Sequence, residues 1–288
     1  MKNIRRTFVW FMLLAFLLPV ASASAEGRQA RPAHAKTVLA QPALVQIGVI
    51  DALLAGGYDG SVPVRELPRL GDVGLGTFDA LDGELVLLDG VVYQVPASGV
   101  VRRIDTRRAD TRRAEARVTT PFAQVARFRP GPALALPGGS GLKGMEAALD
   151  KALADTNLFA AARVEGTFRT LKARSVPRQT PPYRPLAEVA KEQSVFEFAQ
   201  VRGTLVGLRG PDYVRGLGVP GWHWHFLTQD RTRGGHVLDL SLETGQARIA
   251  PLRRLELLLP ERGLGGLDLG RDRTRELQAV EGAAETKR

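Results

Sequence analysis

The stretch Gly221-Trp-His-Trp-His-Phe-Leu-Thr-Gln-Asp-Arg-Thr-Arg-Gly-Gly-His236 holds three of the four histidines of this 288-residue chain. Around His223 and His225 the residues alternate as in a β-strand, which places both rings on one face because side chains alternate with period two. The strict alternation of His236–Leu242 predicts a second strand. Gly234 and Gly235 are expected to let the connecting loop bend just before His236.

Three imidazoles brought to one point form an open set of metal ligands. Three protein ligands are the number typical of a catalytic zinc, whereas structural zinc sites are closed by four. We therefore predict Zn²⁺ bound by His223, His225 and His236. The alternative is a pair of packed strand histidines beside an unrelated third. His34, the remaining histidine, lies in a segment without periodicity and receives no role.

The first residues are typical of an export signal. Lys2, Arg5 and Arg6 precede an apolar run that ends near Ala-x-Ala cleavage sites. We predict a signal peptide over 1–25 and a flexible lead-in over 26–40, hence a periplasmic or secreted protein. Arg5-Arg6 also resembles a twin-arginine signal, which stays the less favoured route. No second apolar run is long enough to span a membrane, so none is expected to anchor the mature chain.

Charge and composition narrow the class of protein further. The net charge of +10 would fall to +7 on cleavage, because three cations and no acids would be lost. The chain has no cysteine, so an exported form must rely on its core for stability. The Arg-rich run 102–117 repeats with a five-residue period but contains acids and no aromatic residues. We therefore predict a solvated extension and no nucleic-acid partner.

Alternating and helical patterns indicate an α+β fold of two related units, each with a mostly antiparallel or mixed β-sheet and short helices. An Asp-Gly turn inside 81–95 predicts a hairpin, and Gly141–Asp155 predicts an amphipathic helix. A strand pair is predicted over 194–206, with a turn or bulge at Gly203. The C-terminal residues 270–288 are expected to be helical or partly disordered.

Six motifs of the chain together resemble those of the alpha-acetolactate decarboxylase family. The motifs that carry the resemblance extend over nearly all of the predicted mature chain. They are Asp51-Ala-Leu-Leu-Ala-Gly-Gly-Tyr-Asp-Gly60, Gly74-Leu-Gly-Thr-Phe-Asp-Ala-Leu-Asp-Gly-Glu84, Thr120-Pro-Phe122, Arg174-Ser-Val-Pro177, Gly221-Trp-His-Trp-His-Phe226 and Gly234-Gly-His-Val-Leu-Asp239.

The resemblance implies a zinc enzyme that decarboxylates 2-acetolactate to acetoin and CO2. It implies an N-terminal α+β domain (41–140), a C-terminal zinc-binding α+β domain (141–265) and a charged tail (266–288) that returns to the active site. The family pattern assigns the metal to the three histidines. It makes Glu84 and Arg174 catalytic, with a second glutamate from the tail, Glu281, or Glu276 as the alternative.

These residue types suit that chemistry. Loss of CO2 from a β-keto acid leaves an electron pair that a polarised ketone accepts as an enediolate, and zinc can stabilise that charge. Two nearby glutamates push their pKa values apart, so one would stay protonated and supply the proton. Arg174 would orient the substrate carboxylate.

Two other functions remain open from the residues alone. A cupin-like metal enzyme also uses His-x-His and a later histidine, but it usually has a glutamate where this chain has Gln229 and Asp230. A non-enzymatic exported zinc-binding protein would bind metal without releasing CO2. The sequence also leaves a homodimer open.

Overall fold

The structure, a computed structural model, describes residues 41–106 and 118–282 of the chain. Among these residues, no helix is both long enough and apolar enough to cross a lipid bilayer. Four segments lie outside the described residues: the predicted signal peptide 1–25, the lead-in 26–40, most of the Arg-rich run at 107–117, and the end of the tail at 283–288.

Short helices and many strands make up the described part of the chain. The strands are β1 (Ala43–Ile47), β2 (Val62–Pro63), β3 (Val73–Thr77), β4 (Glu84–Leu88), β5 (Val91–Val95), β6 (Arg102–Ile104), β7 (Thr119–Thr120), β8 (Ala123–Ala126), β9 (Leu134–Leu136), β10 (Phe159–Ser175), β11 (Ser194–Gly210), β12 (Gly221–Thr228), β13 (Gly234–Leu252) and β14 (Arg254–Leu258). The α-helices are α1 (Ile50–Leu54), α2 (Leu67–Leu70), α3 (Leu142–Leu153), α4 (Leu186–Val189) and α5 (Thr274–Glu281).

The first sheet has the strand order β14-β1-β8-β3-β4-β5-β6. All neighbours in it are antiparallel except β1 and β14, which run parallel. Within this sheet β4 and β5 form the predicted hairpin. Asp89 and Gly90 turn the chain with φ of 53° and 73°, as a two-residue hairpin turn requires.

The second sheet closes on itself. The order β10-β11-β12-β13-β9 is completed by a further pairing of β10 with β13, so four long strands form a ring. Apolar side chains inside this ring and against α3 make up one buried cluster, which includes Phe168, Phe226 and Leu240. The predicted α+β class, with two mostly antiparallel sheets and short helices, is therefore confirmed.

Two local predictions about glycines are wrong. Gly203 does not turn the chain: β11 runs continuously through it, opposite Gly166. A Cβ on Gly203 would lie 2.4 Å from the carbonyl oxygen of Leu227, so glycine is needed there for close packing of strands. Gly234 is likewise part of a strand, and a Cβ on it would lie 2.3 Å from the carbonyl oxygen of Phe226.

The turn between β12 and β13 is made by the residues before the two glycines. Asp230 accepts hydrogen bonds from the hydroxyls of Thr228 and Thr232, at 2.6 and 2.9 Å. Arg231 takes the left-handed conformation with φ of 60°. Side-chain hydrogen bonding by Asp and Thr therefore closes the hairpin that carries the three histidines.

Candidate active site

Strand pairing brings the three histidines together. His225 and His236 lie opposite each other in the antiparallel pairing of β12 with β13, and His223 precedes His225 by two residues on the same face of β12. The ring centroids are 4.9 to 5.5 Å apart. One nitrogen from each ring lies within 4.8 Å of the other two. The three rings therefore surround a common point, as a metal site requires.

Burial keeps all three rings neutral. Removal from water, together with the smaller effect of the nearby Arg174 guanidinium, lowers the pKa of His223 to about 3. Burial is also the main cause of the pKa values of His225 and His236, which lie well below the usual range. Neutral imidazole is the form that binds a metal, because it has a free lone pair.

The protonation of His225 is determined by its surroundings. Its Nδ1 lies 2.8 Å from the carbonyl oxygen of Leu85, which only accepts hydrogen bonds, so Nδ1 carries the proton. The lone pair on Nε2 then faces Glu84 Oε2 at 3.5 Å. Two electron-rich atoms at this distance require a cation or a carboxyl proton between them.

Several polar atoms of the cluster are buried without a hydrogen-bond partner among the described residues. They are Glu84 Oε1, Arg174 Nε, His223 Nδ1, His225 Nε2 and His236 Nε2. An unsatisfied buried polar atom costs about 1–3 kcal/mol, so a concentration of them in one place is typical of a ligand-binding site. Three neutral imidazoles beside carboxylates are the donors that suit zinc. The residues present therefore fit this cation.

Glu84 is directed at the cluster by the loop that precedes it. Thr77 Oγ1 donates to the carbonyl oxygen of Gly83 at 2.9 Å, and Gln94 Nε2 donates to that of Asp82 at 2.6 Å. Gly83 has φ of 88°, and a Cβ there would lie 2.3 Å from the carbonyl oxygen of Val95. Burial raises the pKa of Glu84 to about 7, against an opposing effect of Arg174.

Arg174 connects the two sheets and α5. It is only 4% exposed. Its Nη1 lies 3.6 Å from Glu84 Oε1, and its Nη2 donates a hydrogen bond to the carbonyl oxygen of Val280 at 3.0 Å. The guanidinium thus lies between the first sheet, which supplies Glu84, and the tail helix.

Glu281 completes the cluster from the end of α5. Its Oε2 lies 3.8 Å from His223 Nε2 and 3.9 Å from His236 Nε2. Burial raises the pKa of Glu281 to about 7, and Arg174 partly opposes this. The alternative residue, Glu276, is paired with Arg271 and Arg273 instead. The structure therefore places Glu281, and not Glu276, beside the histidines.

A small cavity of about 40 Å³ lies among these groups. Its polar wall contains Glu84, Arg174, His223, His236 and Glu281. Its apolar wall includes Ile50, Leu53, Leu81, Phe122, Val176, Leu186 and Val280. Glu281 also lines a larger cavity of about 460 Å³ beside α5. A ligand in the small cavity would contact both charged groups and hydrocarbon.

The face of β12 that does not carry the histidines packs against α3. Trp222 and Trp224 point away from the histidines and stack with centroids 4.9 Å apart. Their Nε1 atoms donate to Asp150 at 2.8 Å and to Glu146 at 3.0 Å. These hydrogen bonds hold in place the strand that carries two of the three histidines.

Sequence reasoning did not identify the apolar wall or the supporting carboxylates. Glu146 and Asp150 are four residues apart on α3, a spacing that places both on one helix face and could have indicated their role. Leu81 had no such signal, because its left-handed backbone is visible only in three dimensions.

The chain matches the family model described as alpha-acetolactate decarboxylase over residues 44–263. Alpha-acetolactate decarboxylase of Methanosarcina mazei is 44% identical over 84% of this chain and 81% of that protein. The Brevibacillus brevis protein of the same name is 36% identical over 81% of this chain and 78% of its own length.

Solved structures agree with this match. The crystal structure of alpha-acetolactate decarboxylase from Bacillus subtilis strain 168 is similar with a TM-score of 0.78 and 32% sequence identity. The match covers 83% of this chain and 99% of that one. The match in sequence and the shared architecture show that the chain belongs to the alpha-acetolactate decarboxylase family, a family of carboxy-lyases.

Proposed function

We propose that this protein decarboxylates 2-acetolactate to acetoin and CO2, with zinc bound by His223, His225 and His236. The observation that carries the proposal is the buried cluster of three neutral imidazoles, two glutamates with raised pKa values and one arginine. All of these residues except His225 line a single cavity. Membership of the family supports the same substrate.

Each polar part of the substrate has a complementary group in the cavity. 2-Acetolactate has a carboxylate and a hydroxyl on C2 and a ketone on C3, so the electron pair left by CO2 can move into the ketone. Zinc, when bound, would act as a Lewis acid that polarises the ketone and stabilises the developing negative charge. The remaining tasks are orientation of the carboxylate, by Arg174, and transfer of a proton, by Glu84 and Glu281.

Arg174 orients the substrate carboxylate. Its Nη2 now donates to a neutral carbonyl, that of Val280, and a carboxylate is the stronger acceptor for a guanidinium. The interaction must not favour the bound carboxylate over the transition state, because CO2 leaves uncharged. A long 3.6 Å contact with Glu84 keeps part of the guanidinium charge compensated after CO2 has left.

Glu84 and Glu281 hold and donate the proton that the product requires. CO2 loss leaves an enediolate carbon that must gain one proton to give acetoin. Both glutamates have a pKa raised to about 7, and ionised Glu281 raises the pKa of Glu84. At neutral pH the pair therefore tends to hold one proton, which one carboxyl group can donate while the other remains a carboxylate. The proposal does not choose between them as donor.

One experiment tests the function directly. Purified protein is mixed with 2-acetolactate, and acetoin and CO2 are measured before and after removal of metal with a chelator, and again after zinc is added back. We expect one acetoin per CO2, loss of activity with the chelator and recovery with zinc. Metal binding without CO2 release would point to a binding protein, and full activity without metal would refute the zinc role.

Export of the protein is a further proposal, and it is based on the sequence alone. We propose cleavage after Ala25 and release of the mature chain from the cytoplasm, based on the charged, apolar and small-residue order of residues 1–25. Determination of the N-terminal residue of the protein from the exported fraction tests this. An N-terminus at Met1 would refute it.

A further inference from the structure

Two consecutive residues just before Glu84 have left-handed backbone conformations without being glycine. Ala80 has φ of 57° and Leu81 has φ of 56°. The left-handed region costs a residue with a side chain roughly 1–2 kcal/mol, and such conformations persist only where the surroundings enforce them. A buried leucine in this conformation therefore calls for an explanation.

The surroundings hold this loop from both sides. The Ala80 N–H donates to the carbonyl oxygen of Tyr58 at 2.9 Å, and the Gln179 N–H donates to the carbonyl oxygen of Ala80 at 2.7 Å. Arg178 contacts the carboxylates of Asp79 and Asp82, at 3.3 and 3.4 Å. The loop is thus bonded to segments before and after it in the chain, which allows the unfavourable backbone to persist.

The consequence of this conformation is the position of the Leu81 side chain. Leu81 is 1% exposed and lines the same cavity as Glu84, Arg174 and His223. It belongs to the apolar cluster that also contains Phe122 and Leu186, which line the cavity with it. Three residues after Leu81, the same loop delivers Glu84.

A 2-hydroxy-3-keto acid has both polar groups and alkyl groups, just as the cavity has both polar and apolar lining residues. Its carboxylate, hydroxyl and ketone require the polar wall of Arg174, the two glutamates and the histidines. Only its alkyl groups, on C2 and on the ketone, can face hydrocarbon without leaving polar groups unpaired. The apolar wall, which includes Leu81, must therefore accommodate these alkyl groups.

We propose that Leu81 is a specificity-determining residue that limits the size of the alkyl groups on the substrate. The inference rests on the proposed function and extends it to the choice among 2-hydroxy-3-keto acids. The constrained loop keeps Leu81 against the cavity, so that a substrate with an ethyl group in place of a methyl meets a rigid wall.

The test compares Leu81→Ala with the wild type on three substrates. These are 2-acetolactate, 2-ethyl-2-hydroxy-3-oxobutanoate and 2-hydroxy-2-methyl-3-oxopentanoate. One methylene in an apolar pocket changes discrimination by about 10- to 200-fold. We expect kcat/KM for at least one ethyl substrate, relative to that for acetolactate, to rise about tenfold in Leu81→Ala. Leu81→Gly, which also suits the left-handed backbone, should change the ratio in the same direction and serves if Leu81→Ala does not fold.

Two control variants separate selectivity from loss of stability. Leu87→Ala removes an equally buried side chain from β4 that does not line the cavity. Ala80→Gly removes the steric cost of the left-handed backbone at Ala80 but keeps both of its backbone hydrogen bonds and the Leu81 side chain. Neither should change the ratio by more than twofold. An unchanged ratio in both Leu81 variants, or an equal rise in Leu87→Ala, would overturn the inference. If the wild type released no CO2 from any of the three acids, the proposed function itself would fail.

Discussion

Arg174 and His236 lie directly opposite each other in the antiparallel pairing of β10 with β13, and His236 in turn lies opposite His225 on β12. The residue proposed to hold the substrate carboxylate and two proposed metal ligands are therefore neighbours across three hydrogen-bonded strands. Residues on hydrogen-bonded strands are held more precisely than residues on loops, so the strand pairing sets the spacing between the proposed substrate and metal positions.

Replacement of His225 by Ala should lower zinc content and activity together. His225 is completely buried, and its Nε2 has no other partner among the described residues, so nothing there can substitute for it. Metal analysis of the purified variant and an acetoin assay check this. His34→Ala is the matched control and should retain zinc. A His225→Ala protein with a full complement of tightly bound zinc would contradict the three-ligand site.

Replacement of Glu84 by Gln should retain zinc and reduce kcat by about 100-fold or more, the range typical for loss of a positioned acid or base. The amide has nearly the same shape as the carboxyl group but cannot exchange a proton. Steady-state rates and metal analysis are the measurements. Glu197→Gln, at an exposed position on β11, provides the control. An undiminished rate would exclude Glu84 from the proton transfer.

The pH dependence of stability should reveal the raised pKa of Glu84. Its folded pKa of about 7 lies above the ordinary value of 4.5, so between these two pH values the folded protein binds the proton more strongly than the unfolded chain. The contribution of Glu84 to stability is therefore fully present below about pH 4.5 and is lost as pH rises to about 7.

Denaturant unfolding of metal-free wild type and metal-free Glu84→Gln measures this effect. The buried histidines titrate in both proteins, so their contribution cancels in the difference. The free energy of unfolding of the wild type minus that of the variant should fall by roughly 2–3 kcal/mol between pH 4.5 and 7. A difference that stays constant, or rises, over this range would show that the Glu84 pKa is not raised.

Replacement of Arg174 by Lys should raise KM and lower kcat, because an ammonium group cannot pair with a carboxylate through two parallel hydrogen bonds. A lysine at this position also cannot contact Glu84 and the carbonyl oxygen of Val280 through two separate nitrogens, as Arg174 does. We expect kcat/KM to fall about 10- to 1000-fold, since a charge-assisted contact contributes roughly 1.5–3 kcal/mol and more where it is buried. Arg169→Lys, exposed on the same strand, should behave as the wild type.

Much of the local structure could be predicted from short-range patterns. The Asp89-Gly90 hairpin, the α3 helix and the helical spacing of Leu277 and Val280 in the tail all depend on residues close in the chain. Predictions failed where distant strands pack closely. Gly203 and Gly234 look like turn residues by type, yet the structure requires them because neighbouring backbone leaves no space for a side chain.

By itself, the sequence determined that His223 and His225 share a strand face and that His236 lies near the start of the next strand, because alternation acts over a few residues. Only the tertiary structure decided that Glu84, Arg174 and Glu281 meet these rings. One comes from the first sheet, one from the second and one from the tail helix, and burial of apolar surface packs these elements together. That packing also removes water from the cluster, which raises the pKa of both glutamates and keeps the three imidazoles neutral.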